Sequence, residues 1–378
     1  MNQSYDLIVI GLGAMGSATA YHVARQGYRV LGLDSYGRDH AMGSSHGRSR
    51  IIRESYAEGP QYVPLVQRAF KLWRNLEQES HQQLLTMTGG IYIGLPGSEI
   101  VTGVLLSARE HHLTCDYLTA SEVMARFPGF RVPDSMVGVY EENGGVLDAQ
   151  ACVDAHLDLA ARAGADLHHG EPVLRWSPDG EGVQVETGTA TYRAARLVIA
   201  AGSWIPDLLA ELSLPLVVWR VVVAYFNPAG SLFDAGSFPF YLLEVPEGTY
   251  YGLPNLPGQG LKTGRHDTGE VCTPQTIRRT VDDREINQIR SMLDIYMPGA
   301  AATLKAAQTC IYTMTPDEDF IIDRHPAHPQ VAYVSACSGH GFKFSAAIGE
   351  ALAQLSLEGT VSPLIAPFSA RRFGAGKS

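Results

Sequence analysis

Tyr5-Asp6-Leu7-Ile8-Val9-Ile10-Gly11-Leu12-Gly13-Ala14-Met15-Gly16 is an apolar run that ends in GxGxxG, and a second apolar run, residues 28–33, ends on Asp34. Strand, glycine turn, amphipathic helix over 18–26, strand and acid follow in register, which predicts a βαβ unit that holds an adenine dinucleotide. Gly11 permits the tight turn, Gly13 lets backbone approach a pyrophosphate, and Gly16 lets the helix lie close to the sheet. The helix N-terminus then faces the phosphates with unpaired N–H groups and a partial positive charge. Asp34 is placed to accept hydrogen bonds from ribose hydroxyls and to repel a 2′-phosphate, which favours FAD or NAD over NADP.

The chain has 378 residues, 45% of them hydrophobic, enough for two domains with sizeable cores. A net charge of −10 argues against general binding to nucleic acid or to an anionic membrane. One basic cluster stands out: His46, Arg48, Arg50 and Arg53. No apolar stretch reaches the roughly 18–20 residues that span a bilayer. The N-terminus enters its first strand within a few residues, so no signal peptide and a cytoplasmic location are expected. Cys115, Cys152, Cys272, Cys310 and Cys337 are scattered without CxxC spacing, and neither a disulfide framework nor a metal site is expected.

Further along, residues 43–53 read as a Gly/Ser/His/Arg-rich loop and 63–82 as a helix with one apolar face. Residues 85–143 read as short strands and loops, with strands at 90–94 and 137–140 and a helix near 101–111. A helix over 149–163 and strands at 173–176 and 183–187 precede a buried strand, 196–204, whose Ala200-Ala201-Gly202 lets backbone pass close to a cofactor. Residues 214–315 are strand-rich, with strands at 219–226, 238–245 and 249–253 and a helix over 282–296. The tail repeats strand, glycine turn and helix over 331–357.

Seven segments in order resemble the monomeric sarcosine oxidase family, which includes N-methyltryptophan oxidase, within the D-amino-acid-oxidase-like flavoproteins. They are Gly11-Leu12-Gly13-Ala14-Met15-Gly16, residues 43–53, Tyr250-Tyr251-Gly252-Leu253-Pro254, Leu261-Lys262-Thr263-Gly264-Arg265-His266, Cys310-Ile311-Tyr312, residues 316–323, and Ser338-Gly339-His340-Gly341-Phe342-Lys343-Phe344. The resemblance implies an α/β fold: a Rossmann-like FAD-binding domain, 1–84, 145–215 and 316–378, interleaved with an α+β substrate domain, 85–144 and 216–315. The second domain would contain a large, mostly antiparallel sheet.

The resemblance also implies site residues. Gly11, Gly13, Met15, Gly16, Asp34, Ser44, His46 and Arg50 would hold FAD, together with Gly339, Gly341, Phe342 and Lys343. Cys310, on sequence alone a small buried hydrophobe, falls where this family attaches FAD through a thioether. Arg53 and Lys343 would clamp the substrate carboxylate, since a planar guanidinium binds two oxygens at once. Lys262 would activate dioxygen as a fixed cation beside the flavin. His266 would position the amine, while Tyr251 and Tyr312 would form walls and donate hydrogen bonds.

The implied reaction is oxidation of a small N-methyl amino acid, sarcosine first, by a monomer using dioxygen. Tyr241-Leu242-Leu243-Glu244-Val245 follows the sarcosine oxidase pattern more nearly than the N-methyltryptophan one. Oxidation of N-methyltryptophan, of a cyclic amine such as pipecolate or proline, or an FAD dehydrogenase that does not use oxygen stay open. An NAD enzyme would share Gly11 to Asp34 but leave the arginine-rich loop and the C-terminal turn unexplained.

Overall fold

A computed structural model describes residues 4–336 and 338–374; Cys337 lies outside them. The first strand, Ser4–Ile10, is buried on both faces, with Leu7, Ile8 and Val9 fully covered, as the centre of a parallel sheet requires. It pairs in parallel with Val30–Asp34 on one side and Thr191–Ile199 on the other. Asp166–His169 and Val331–Ser335 extend the parallel core, and Val173–Asp179, Gly182–Thr187 and Ile321–Arg324 complete an eight-stranded sheet with antiparallel pairings.

Helix Ala14–Ala24 packs between helices Ala149–Arg162 and Ser345–Glu358. It starts directly after Gly13, four residues earlier than the sequence pattern suggests. The reason is burial: Ala14, Gly16, Ser17 and Ala18 are all covered, so this small-residue turn shows no polar face from which a helix could be read.

Residues 43–53, expected as a loop, end in a strand, Ser49–Arg53. It pairs with Gly144–Asp148, which in turn pairs with Leu85–Met87. Arg50 and Arg53 therefore sit on extended chain. The strand expected over 196–204 runs Thr191–Ile199 and gives way to a 3₁₀ turn, Gly202–Trp204.

A second, nine-stranded sheet combines Gly90–Gly94, Asp116–Thr119 and Val137–Glu141 with six strands between Val217 and Met314. Every pairing in it is antiparallel except Phe240–Val245 against Gly90–Gly94. Helices Ala120–Arg126 and Asp283–Tyr296 cover one face, where Val123, Ile289 and Leu293 pack with Ile91, Ala224, Phe226 and Leu261. Asp282 starts the second helix with a capping box that Glu285 completes.

Strand alternation sends the neighbouring residues to the opposite face. There the register aligns Tyr251 with Gly264, Leu253 with Lys262, Tyr225 with Lys262, Val223 with Gln308, and Val221 with Cys310. Among the described residues no helix is long and apolar enough to cross a membrane.

Candidate active site

A cavity of about 370 Å³ opens between the glycine turn of the parallel sheet and the face of the broad sheet that carries Lys262 and Cys310. Gly11, Gly13, Met15, Asp34, Ser44, His46, Arg50, Arg53, Tyr251, Lys262, His266, Cys310, Tyr312, Gly339, Gly341, Phe342 and Lys343 all line it. Gly16, grouped on sequence with the cofactor-binding residues, does not. An added Cβ there would come within 1.7 Å of the Gly11 carbonyl oxygen, so Gly16 acts at one remove, by letting the helix seat against the turn.

At the dinucleotide end, Gly11 adopts φ +90°, and a Cβ on it would meet Ala200 O at 2.5 Å. Asp34 accepts from Leu12 N–H at 2.8 Å and from Tyr36 N–H at 2.9 Å, fixing the turn and its own carboxylate at the cavity wall. Ser45 Oγ accepts from Ala14 N–H at 3.0 Å. Gly13 gives the helix no side-chain cap, and its first turn holds no acid. A glycine turn, an acid and a helix terminus of this kind fit the ribose and pyrophosphate of an adenine dinucleotide.

The loop before Ser49–Arg53 is fastened to the strand that carries Cys310. Ser44 Oγ donates to Ile311 O at 2.8 Å, and His46 Nε2 lies 3.1 Å from Thr309 O while its Nδ1 lies 2.5 Å from Gly43 O. Arg50 ties the same loop together from inside, donating to Ser44 O at 2.9 Å and to His46 O at 2.5 Å, with its guanidinium 5.6 Å from the Phe342 ring centre.

Lys262 Nζ is buried and donates to Ser49 O at 2.7 Å. Burial, with the Arg50 charge adding to it, holds this lysine well below its usual range. Lys343 is likewise buried and held well below its usual range by burial and then by Arg53. Its Nζ donates to His340 O at 2.6 Å and to the Tyr56 hydroxyl at 3.1 Å. Among the described residues neither lysine nor Arg50 forms an ion pair with a carboxylate. An anion bound beside these lysines would offset their desolvation and favour their protonated forms.

Arg53 differs. Its Nη2 reaches both oxygens of Glu58, at 2.5 and 2.6 Å, and its guanidinium lies 3.9 Å from the Tyr56 ring centre. Burial alone would raise the Glu58 pKa, but Arg53 above all, then His340 and Lys343, hold it well below the usual carboxylate range. Beyond it, His266 Nδ1 lies 3.4 Å from the Tyr312 hydroxyl, and Tyr251 makes an edge contact with the His266 ring. Burial lowers the His266 pKa, which favours neutral imidazole. Gly339, at φ +79°, leaves room for this group: a Cβ would come within 2.5 Å of the Tyr312 ring and 2.6 Å of His266.

Residues 6–355 match the DAO family of FAD dependent oxidoreductases. The chain belongs to this family. It is 44% identical to monomeric sarcosine oxidase of Streptomyces avermitilis, with 99% of each chain covered. It is 40% identical to monomeric sarcosine oxidase of a Bacillus species, covering 98% of this chain and 97% of that protein. To N-methyl-L-tryptophan oxidase of Salmonella arizonae it is 37% identical, over 98% of this chain and 99% of that one. The solved structure of NikD, an unusual amino acid oxidase essential for nikkomycin biosynthesis, matches with a TM-score of 0.87 at 26% identity, covering 97% of this chain and 98% of that one.

Within the family the chain falls in the monomeric sarcosine oxidase and N-methyltryptophan oxidase group, as a flavoprotein oxidase acting on CH–NH donors. FAD is its cofactor. Glu58 and Gln308 are among the cavity residues that escape the sequence reading. Glu58 follows Arg53 by five positions in a loop with no periodicity to mark it, though an acid so close to a basic cluster is a usable signal. Gln308 sits two residues before Cys310 on the same strand, where alternation places it on the same face.

Proposed function

We propose that the enzyme oxidises the N-methyl group of sarcosine or a similarly small N-methyl amino acid. Amino acid, dioxygen and water would give the demethylated primary amino acid, formaldehyde and hydrogen peroxide. The single observation that carries this reading is the convergence of Arg50, Arg53, Lys262 and Lys343 on one cavity beside His266, Tyr251 and Tyr312. FAD, when bound, takes up two electrons from the substrate C–H bond and passes them to dioxygen.

The chain's own residues supply binding and electrostatics. Gly11, Gly13, Met15, Asp34, Ser44, His46, Gly339, Gly341 and Phe342 would hold the cofactor, with Gly16 setting the helix behind them. Lys343 and Arg53 would bind the substrate carboxylate, which must displace Glu58 from the Arg53 fork. Neutral His266, with Tyr251 and Tyr312, would orient the amine by hydrogen bonds and keep water from the methyl carbon. Lys262, across the sheet from Leu253, would meet the negative charge that grows on dioxygen.

The same reading makes the link to FAD covalent, through Cys310, which lines the cavity on the strand fastened to Ser44 and His46. It divides the chain into an FAD-binding domain, 1–84, 145–215 and 316–378, and a substrate domain, 85–144 and 216–315. Two of the relatives are named as monomeric enzymes, which supports a monomer.

Anaerobic mixing with sarcosine tests the substrate. The yellow absorbance bleaches, then recovers in air with formation of peroxide. Bleaching only with N-methyltryptophan or pipecolate would move the substrate, and failure of the colour to recover in air would remove dioxygen as acceptor. For the covalent link, acid precipitation of the wild type keeps the colour in the pellet, whereas Cys310→Ser protein releases it. Colour retained by the variant would place the attachment elsewhere.

A further inference from the structure

Arg53 is held from a second direction by a buried chain of polar groups. Its Nη1 donates to the carbonyl oxygen of Ser55 at 3.3 Å. That carbonyl oxygen also lies 3.0 Å from the Tyr92 hydroxyl, which in turn lies 2.5 Å from Glu141 Oε1. Glu141 Oε2 accepts from Ser55 N–H at 2.7 Å. Ser55 and Tyr92 are fully buried, and Glu141 is 2% exposed. Sheet register brings the last two together, because Gly90 of the Tyr92 strand pairs with Glu141.

A tyrosine hydroxyl carries one proton. The Ser55 carbonyl and an ionised Glu141 are both acceptors, so a carboxylate at Glu141 leaves one Tyr92 contact as oxygen against oxygen. A protonated Glu141 resolves both contacts: its O–H donates to Tyr92, and Tyr92 donates to Ser55. Burial pushes the Glu141 pKa up to about 7, against the opposing effects of Tyr92, Ser55 and Arg53. The other titratable neighbour is Cys115, 3.1 Å from Ser55 Oγ, with Asp116 and Glu54 acting on it in turn. Burial raises the Cys115 thiol to about 11, so it stays neutral as Glu141 titrates.

We propose that Glu141 is a positioning residue for substrate binding, which holds a proton in the binding-competent enzyme and, through Tyr92 and the Ser55 carbonyl, orients Arg53 toward the substrate carboxylate. This rests on the reading of Arg53 as that carboxylate's partner. When Glu141 ionises, the Tyr92 proton turns to it, the Ser55 carbonyl loses a donor, and Arg53 faces a competing anion. Affinity for a carboxylate ligand is full on the acid side of neutrality and falls as pH rises through about 7.

The test uses the FAD-loaded enzyme and Glu141→Gln, whose amide NH₂ can donate to Tyr92 while its oxygen accepts from Ser55 N–H, as the protonated acid does. Infrared difference spectra on the acid side show the carbonyl stretch of a protonated carboxylic acid in the wild type and not in the variant. Acetate, a carboxylate that cannot reduce the enzyme, is titrated against the flavin absorbance across neutrality. Its wild-type affinity falls at least roughly fivefold with rising pH, the lower range for coupled sites, and the variant lacks the part of that fall that tracks loss of the infrared acid band.

Absence of the acid band in the wild type overturns the proton assignment whatever Arg53 does. A band with the same acetate profile in both proteins overturns the positioning role. Failure of acetate to bind the wild type at any pH overturns the carboxylate site itself, and the positioning role with it, while the infrared band still reports the proton. Should Glu141→Gln fail to retain FAD, Tyr92→Phe cuts the same chain; a flattened profile supports the link and an unchanged one overturns it.

Discussion

Replacing Lys262 by methionine slows reoxidation of the reduced enzyme by air roughly 10²–10³-fold, the usual effect of removing one preorganised electrostatic group. Anaerobic reduction by substrate changes little. Dioxygen arrives uncharged and acquires negative charge as it accepts electrons, so a cation helps only once that charge develops. Lys262 is suited to this task because it is buried, fixed by Ser49 O at 2.7 Å, and joined by no carboxylate among the described residues. Burial and Arg50 depress its pKa, so negative charge growing on dioxygen would favour the protonated lysine, whose charge in turn stabilises it. Methionine keeps the length and apolar stem and removes only the charge and its hydrogen bond. Stopped-flow measurement of the two half-reactions separates the effects, and a normal reoxidation rate would leave Lys262 with a purely structural role.

Lys343→Met raises KM for the N-methyl amino acid roughly thirtyfold or more, with a smaller change in the reduction rate at saturating substrate. The magnitude follows from removing one partner of a buried, hydrogen-bonded charge pair, about 2–5 kcal/mol. An ammonium has three N–H donors, and His340 O and the Tyr56 hydroxyl use two of them. The third would be open to a substrate carboxylate without exchange. Arg53 has no such spare fork, since Glu58 engages its Nη2 through both carboxylate oxygens, so a ligand's carboxylate must compete with an internal one. A KM within threefold of wild type, with FAD content intact, would remove Lys343 from the carboxylate site.

The dinucleotide unit is legible in the sequence because each of its parts carries a local signal: an apolar run, three glycines, and an acid at the end of the next strand. The sheet of Ser49–Arg53, Leu85–Met87 and Gly144–Asp148 is not, because its strands are three to five residues long and only their pairing makes them strands. Lys262 and Cys310 show the limit of alternation as a signal. It groups residues by face but does not say which face meets a ligand, and for these two the resemblance supplied that choice. Glu141 and Tyr92 lie 49 positions apart and meet only through the register of Gly90 against Glu141, which no local pattern encodes.

Register also decides what kind of error the fold can make. Cys310 and Tyr312 share a face with Val221 and Trp219 because Thr303–Met314 pairs with Val217–Asn227 at one particular offset. A slip of one residue would turn the Cys310 and Tyr312 side chains to the other face of the sheet. The same slip would carry Ala307 off the oily face it shares with Ala224. The greasy underside of the sheet thus acts as a reading frame for the opposite face: any zippering that satisfies Ala224 and Phe226 has already turned the Cys310 thiol to the cavity, and a chain caught out of frame is an assembled protein with nothing to say to its flavin.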